Sequence, residues 1–135
     1  MFHLSKKIEY GLIAIRHMAS GSKGQIFTTK EIADRYHLPY ELLAKIMQKL
    51  AKEGFIVSHQ GLYGGYTFVK NPGEIKILEI IRAIEGKPAV TIVQCESDTP
   101  NDCVIHDRCT IKSPLIKLQG NINKILDELT VMEIL

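Results

Sequence analysis

The residues with the clearest chemical potential are three cysteines, Cys95, Cys103 and Cys109, separated by seven and then five residues. None forms a C-x-x-C pair, which argues against a zinc finger or ribbon. Asp98, Thr99, Pro100, Asn101 and Asp102 lie among them, polar company unlike a protein core. Three thiolates in one loop are soft donors that suit an iron–sulfur cluster. A fourth ligand has to come from elsewhere. His106 is near in sequence, and an acidic residue or histidine from the first helix of a partner chain is the alternative. The same thiols would also serve as a disulfide switch.

The second chemical feature is a helix face that mixes polar, aromatic and basic groups. Leu43, Ile46, Met47 and Leu50 are spaced to point inward from one helix. That leaves Tyr40, Glu41, Ala44, Lys45, Gln48, Lys49 and Lys52 outside. A recognition helix reads base edges with its N-terminal residues, whereas lysines mostly hold phosphates and set affinity. Thr28, Thr29 and Lys30 on the preceding helix, and His59, Gln60, Gly61 and Tyr63 in a glycine-rich loop, complete the expected DNA-binding set.

The elements that position these residues follow from local signals. A first helix is expected from Ser5 to about Ser20, with Ile8, Leu12, Ile15 and Ala19 on one face. Thr28 and Glu31 have the spacing of a capping box and open a short second helix that ends near Tyr36. Pro39 fits the first turn of the third helix, which runs to Glu53 and stops at Gly54. Two short helices with a tight connector make a helix-turn-helix. Phe55–Val57 and Tyr66–Val69, around the loop Gly61-Leu62-Tyr63-Gly64-Gly65, read as a hairpin, and that order is the winged-helix order. A fourth helix is expected over Glu74–Glu85, with Ile77, Ile80, Ile81 and Ile84 inward and Gly86 ending it. Ser113 as cap and Pro114 at the first position start a last helix. Its Leu115, Leu118, Ile122, Ile125 and Leu129 form a coiled-coil-like seam. A twofold dimer is the simple way to cover that seam, and it would also present two reading helices to two half-sites.

The fold class is therefore mainly α with a small β-hairpin: a winged helix-turn-helix plus a long C-terminal dimerisation helix. The expected division is residues 1–86 for the DNA-binding domain, 87–112 for the connector and cysteine loop, and 113–135 for the dimerisation helix. A chain of 135 residues with 45% hydrophobic and 24% charged residues is an ordinary one-domain protein. The net charge of +2 divides into +5 over residues 1–70 and −3 over residues 71–135, and a basic first half suits a polyanionic partner. Met1–Tyr10 interleaves Lys6, Lys7 and Glu9 with apolar residues and has no signal-peptide pattern. No run reaches membrane-span length, so a cytoplasmic protein without membrane contact is expected. An odd cysteine count in a reducing compartment points to metal or redox work rather than a disulfide framework. An enzyme is disfavoured, because no nucleophile–base pair stands out and the glycine loop lacks the Lys-Ser/Thr of a P-loop.

These residues together resemble the IscR- and NsrR-type transcription regulators of the Rrf-two superfamily. The resemblance is carried by Leu4-Ser5, Glu9-Tyr10, Glu31-Ile32-Ala33, Leu43, Lys45-Ile46, Leu50 and Gly54. It continues through Gly61 and Gly64-Gly65-Tyr66 of the wing, Ile84-Glu85-Gly86, and the three cysteines ahead of the last helix. It implies a homodimer that binds double-stranded DNA and holds an iron–sulfur cluster on Cys95, Cys103 and Cys109. The irregular spacing favours 2Fe–2S over 4Fe–4S. The first cysteine gap is seven here and five in IscR and NsrR. Lys112 replaces the IscR-like histidine ligand, and the NsrR-like acidic ligand from the partner's first helix corresponds to Glu9, which is preferred to His106. Gln60 stands where IscR has a wing arginine. Two other readings stay open: a regulator that uses a thiol/disulfide switch or no cofactor, and a winged-helix module that binds protein rather than DNA.

Overall fold

A computed structural model describes residues 3–86 and 103–135, apart from the side chain of His106. Five helices and a small sheet make up the described chain. Helix α1 spans Lys6–Ala19 and is capped by Ser5, whose hydroxyl accepts the Ile8 N–H at 3.4 Å. Helix α2 spans Thr29–Tyr36, and the Thr28 hydroxyl accepts the Glu31 N–H at 3.1 Å. That bond is half of the expected reciprocal box, since the Glu31 carboxylate accepts the Thr28 hydroxyl at 3.5 Å in place of the Thr28 N–H.

Helix α3 spans Tyr40–Lys52, with Pro39 at the N-cap, one position earlier than expected. Its buried residues are Leu43, Ile46, Met47 and Leu50, as the spacing predicts. The α2–α3 turn is made by His37, the one described non-glycine residue with positive φ, at 54°. Its N–H bonds to Ala33 O and closes α2. Left-handed backbone crowds a Cβ against the following carbonyl. His37→Gly is therefore expected to raise the thermal midpoint by relieving about 0.5–1 kcal/mol of strain, net of the freedom glycine adds to the unfolded chain. An unchanged or lower midpoint in calorimetry would show that the imidazole contributes more than its backbone costs.

Strands β2 (Ile56–His59) and β3 (Gly65–Phe68) form the expected hairpin, with Ile56 opposite Phe68 and His59 opposite Gly65. An additional strand, β1 (Ile26–Phe27), pairs antiparallel with β3, so the sheet has three strands in the order β1-β3-β2. At two residues, β1 is too short to show alternation in sequence.

Helix α4 spans Ile77–Glu85, later than the expected start at Glu74, because Pro72–Glu74 forms a separate 3-10 turn. The Glu79 carboxylate accepts the Lys76 N–H at 2.8 Å and sets the true start. Gly86, at φ 72°, ends α4 in the left-handed region. Helix α5 spans Lys112–Glu128, so Ser113 and Pro114 fall inside its first turn rather than opening it, and Ile111 takes the cap position without a side-chain bond.

The chain does not remain one helix to residue 135. Past Glu128 it turns back onto the N-terminal body. Leu129 O accepts the Ile77 N–H and Ile75 O accepts the Val131 N–H, both at 2.9 Å. Thr130 N–H donates to the Glu133 carboxylate at 2.7 Å and opens a 3-10 turn over Val131–Ile134. Val131 is wholly buried, a contribution of about 1.5–3 kcal/mol. One core runs through α1, α3, α4, Phe27, Phe55 and Val131, with Leu126 and Leu129 packed on its edge. Among the described residues no helix is long and apolar enough to cross a membrane.

Candidate functional site

The outer face of α3 is open. Tyr40 is 55% exposed, and Glu41, Lys45, Gln48, Lys49 and Lys52 are also exposed, with Ala44 half-buried among them. Helix α2 delivers its N-terminus with Lys30 exposed, while the Thr28 hydroxyl is engaged in capping. Thr29 is a correction: it is buried in the first turn of α2, so its side chain is unavailable to DNA. A threonine at a helix start reads as polar surface in sequence, and only the packing of α2 shows that this one faces inward.

Lys49 is exposed on that face and also has a partner within the chain. Its ammonium donates to Ile84 O at 2.8 Å, on the last turn of α4. A cation there satisfies a terminal carbonyl and meets the negative end of the helix dipole. Lys49 thus joins α3 to α4 while remaining exposed, whereas Lys45 carries no bond to the protein among the described residues.

The wing is a tight turn. Gly64 N–H bonds to Gly61 O at 3.0 Å, and a Cβ on Gly64 would overlap His59 O. Its tip projects Leu62 and Tyr63, which are 92% and 86% exposed. Leu62 was not among the expected contacts; an apolar residue at a glycine-flanked tip is the signal that marks it. His59 Nε2 lies 2.8 Å from the Thr67 hydroxyl across the hairpin, and Gln60 and Gly61 are exposed.

The cysteine segment begins past the end of α4. Cys103 is exposed and Cys109 half-buried; both are free thiols, at either end of a region that contains the 3-10 turn His106–Arg108. Cys95 and the side chain of His106 lie outside the described residues. Glu9 is half-buried on the first turn of α1, where it pairs with Lys6 at 2.8 Å. That same end of α1 meets the end of α4, since the Ser5 hydroxyl donates to the Glu85 carboxylate at 2.5 Å. The donors fit a cluster in kind, two soft thiols and a carboxylate. Among the described residues no three His, Cys, Asp or Glu side chains gather at metal-binding separation, so one chain's described residues do not complete a site.

Helix α5 buries none of its residues fully. Leu118 and Ile125 of the predicted seam are exposed at 43% and 57%, and Leu115 and Ile122 are half-buried. Leu129 differs: it packs against the core rather than in the open seam.

Comparison with known proteins agrees with this architecture. The Rrf2 family, described as an iron-dependent transcriptional regulator, matches residues 4–135. The HTH-type transcriptional regulator NsrR of Shouchella clausii is 28% identical over 131 residues, covering 97% of this chain and 87% of the relative. The solved structure of CymR, the global cysteine regulator of B. subtilis, superposes with a TM-score of 0.76 at 25% identity, covering 99% of this chain and 96% of that one. T. potens IscR gives 0.74 at 26% identity, covering 98% and 85%. These relatives are regulators rather than enzymes. The chain belongs to the Rrf2 family of winged-helix transcriptional regulators.

Proposed function

We propose that this regulator binds double-stranded DNA as a homodimer and senses redox state, nitric oxide or iron–sulfur supply through Cys95, Cys103 and Cys109. The observation that supports DNA binding most directly is the free outer face of α3, with Tyr40, Glu41, Lys45 and Gln48 exposed beside a projecting wing. A helix presented this way fits the major groove, and a wing tip fits the adjacent backbone or minor groove. The exposed Leu118 and Ile125 of α5 support the dimer, because a second copy covers such a stripe at little cost.

The three thiolates would hold an iron–sulfur cluster, 2Fe–2S in preference to 4Fe–4S, with Glu9 of a partner subunit ahead of His106 as the fourth ligand. Such a cluster supplies a group that gains or loses electrons and reacts with nitric oxide. The protein's own part is transmission. Glu85 is held by Ser5 of α1 and Ile84 O by Lys49 of α3, so a change where α4 hands over to the cysteine segment bears directly on the reading helix. A difference in DNA affinity between the two arrangements is then the regulation.

One observation favours a second reading: Cys103 and Cys109 are both free and close in sequence around one short turn. A thiol/disulfide switch would need no cofactor, and the similarity to CymR accords with it. Anaerobic purification with a visible spectrum and iron and sulfide counts separates the two. Broad absorbance near or above ~400 nm is the expected result for a cluster, and Cys103→Ala should abolish it while the dimer persists on size-exclusion chromatography. Colourless protein after reconstitution with iron and sulfide would leave the thiol switch. Absence of DNA binding at low salt, where phosphate contacts are strongest, would overturn the DNA-binding reading itself.

A further inference from the structure

A cleft of about 430 Å³ opens between the C-terminal half of α1, strand β1 and the end of α2. That volume is within the usual range for small-molecule sites. Neither α3 nor the wing contributes to its lining, and it is remote in sequence from the cysteine segment. Its apolar side is the exposed Tyr36 ring, edge-on to the His17 ring at 5.4 Å, which in turn lies edge-on at 5.3 Å to the buried Phe27. Its polar side is Arg16 and Arg35. Gly21 completes the rim, where a side chain would overlap the Phe27 ring.

Two guanidinium groups and no carboxylate of the described residues line this cleft. Among the described residues no carboxylate pairs with Arg16 or Arg35. Arg35 lies 5.8 Å from the Tyr36 ring centroid, and Arg16 donates its Nε–H to Ile134 O at 2.7 Å. A guanidinium carries five N–H donors, so the terminal N–H groups of Arg16 stay available with the group held in place. His17 adds ring nitrogens that donate or accept hydrogen bonds. Burial, then the neighbouring Arg35, lower its pKa, with Glu31 opposing them. Its Nδ1 lies 2.8 Å from the Tyr36 hydroxyl. A neutral imidazole accepting that hydroxyl proton keeps its Nε2–H as a donor.

We propose that this cleft binds a small anion with a flat apolar body, its carboxylate or phosphate held by the guanidinium groups of Arg16 and Arg35 and its body against the rings of Tyr36 and His17. Paired guanidinium groups recognise planar or tetrahedral oxyanions through charge-assisted hydrogen bonds. The aromatic wall gives an apolar body a place that bulk phosphate cannot use. The site connects the first helix of the helix-turn-helix with α1 and, through Arg16 and Ile134, with the C-terminal segment.

The test titrates the full chain with phenyl phosphate, benzoate and inorganic phosphate, followed by calorimetry and by the His17 ring resonances. Saturable binding of phenyl phosphate or benzoate is expected, at least tenfold tighter than inorganic phosphate. Arg35→Gln and Arg16→Gln should each weaken it at least tenfold while the fold persists by circular dichroism. DNA affinity of Arg35→Gln without probe, and its salt slope, should stay within twofold of the parent. No saturable binding of either aromatic probe, or equal binding of inorganic phosphate, would overturn the proposal. So would a flattened salt slope in Arg35→Gln, which would assign the guanidinium to the DNA backbone instead. Because probe binding is read without DNA, its failure is separate from any failure of the DNA-binding reading.

Discussion

Shortening Ile84 to alanine is expected to destabilise the fold by about 2–5 kcal/mol, the cost of deleting three buried carbons and leaving part of the space unfilled. Ile84 is wholly buried on the last turn of α4. It is the point where three helices meet. A Cβ on Gly11 of α1 would overlap its Cδ1 and lie 3.4 Å from Ile46 Cγ2 of α3. Collapse is restricted there, because the Ile84 carbonyl is also held by Lys49. Urea unfolding should show a lower midpoint with an unchanged slope. A loss below ~1 kcal/mol would mean that the three helices close the gap.

The same packing predicts the reverse exchange. Gly11→Ala alone should cost about 1–3 kcal/mol, since the new methyl strikes Ile84 even though alanine is the better helix former. In the double variant that methyl enters space vacated by Ile84. The pair should therefore be less destabilised than the sum of the singles by about 1 kcal/mol. Strict additivity would show that the two side chains do not share a boundary.

Legibility in the sequence follows the range of the interactions. The inward face of α3 repeats over 13 residues, so its periodicity is enough to find Leu43, Ile46, Met47 and Leu50. The caps at Ser5 and Thr28 are bonds across three residues, equally local. Strand β1 exists because β3 offers an edge to Ile26 and Phe27, and no local signal marks that. The return of the C-terminus had a signal: Thr130 and Glu133 have the capping-box spacing. It was masked by the leucine and isoleucine seam, which runs on in period to Leu129. At the candidate site, residue types and the open face of α3 were legible. Partners were not: the tie from Lys49 spans 35 residues, and the inward turn of Thr29 depends on how α2 packs.

That tie gives the sharpest contrast on the proposed reading helix, α3. Lys45 and Lys49 are both exposed lysines on α3, one turn apart, and by composition they are equivalent phosphate contacts. Lys45 carries no bond to the protein among the described residues, while the Lys49 ammonium donates to Ile84 O. Lys45→Ala should weaken DNA binding about tenfold at moderate salt and reduce the slope of log affinity against log salt by about one unit per site, the signature of one lost phosphate contact. Lys49→Ala should leave the slope within error. Its cost should appear as about 1 kcal/mol of stability, reduced from the value of a fully buried charged hydrogen bond because the side chain is in contact with water. Anisotropy titrations across a salt series, paired with urea unfolding of both variants, measure both quantities. Equal slopes for Lys45→Ala and the parent would remove Lys45 from the interface. A slope loss in Lys49→Ala would mean that its ammonium leaves Ile84 O when DNA arrives, making the α3–α4 tie itself a DNA-dependent contact.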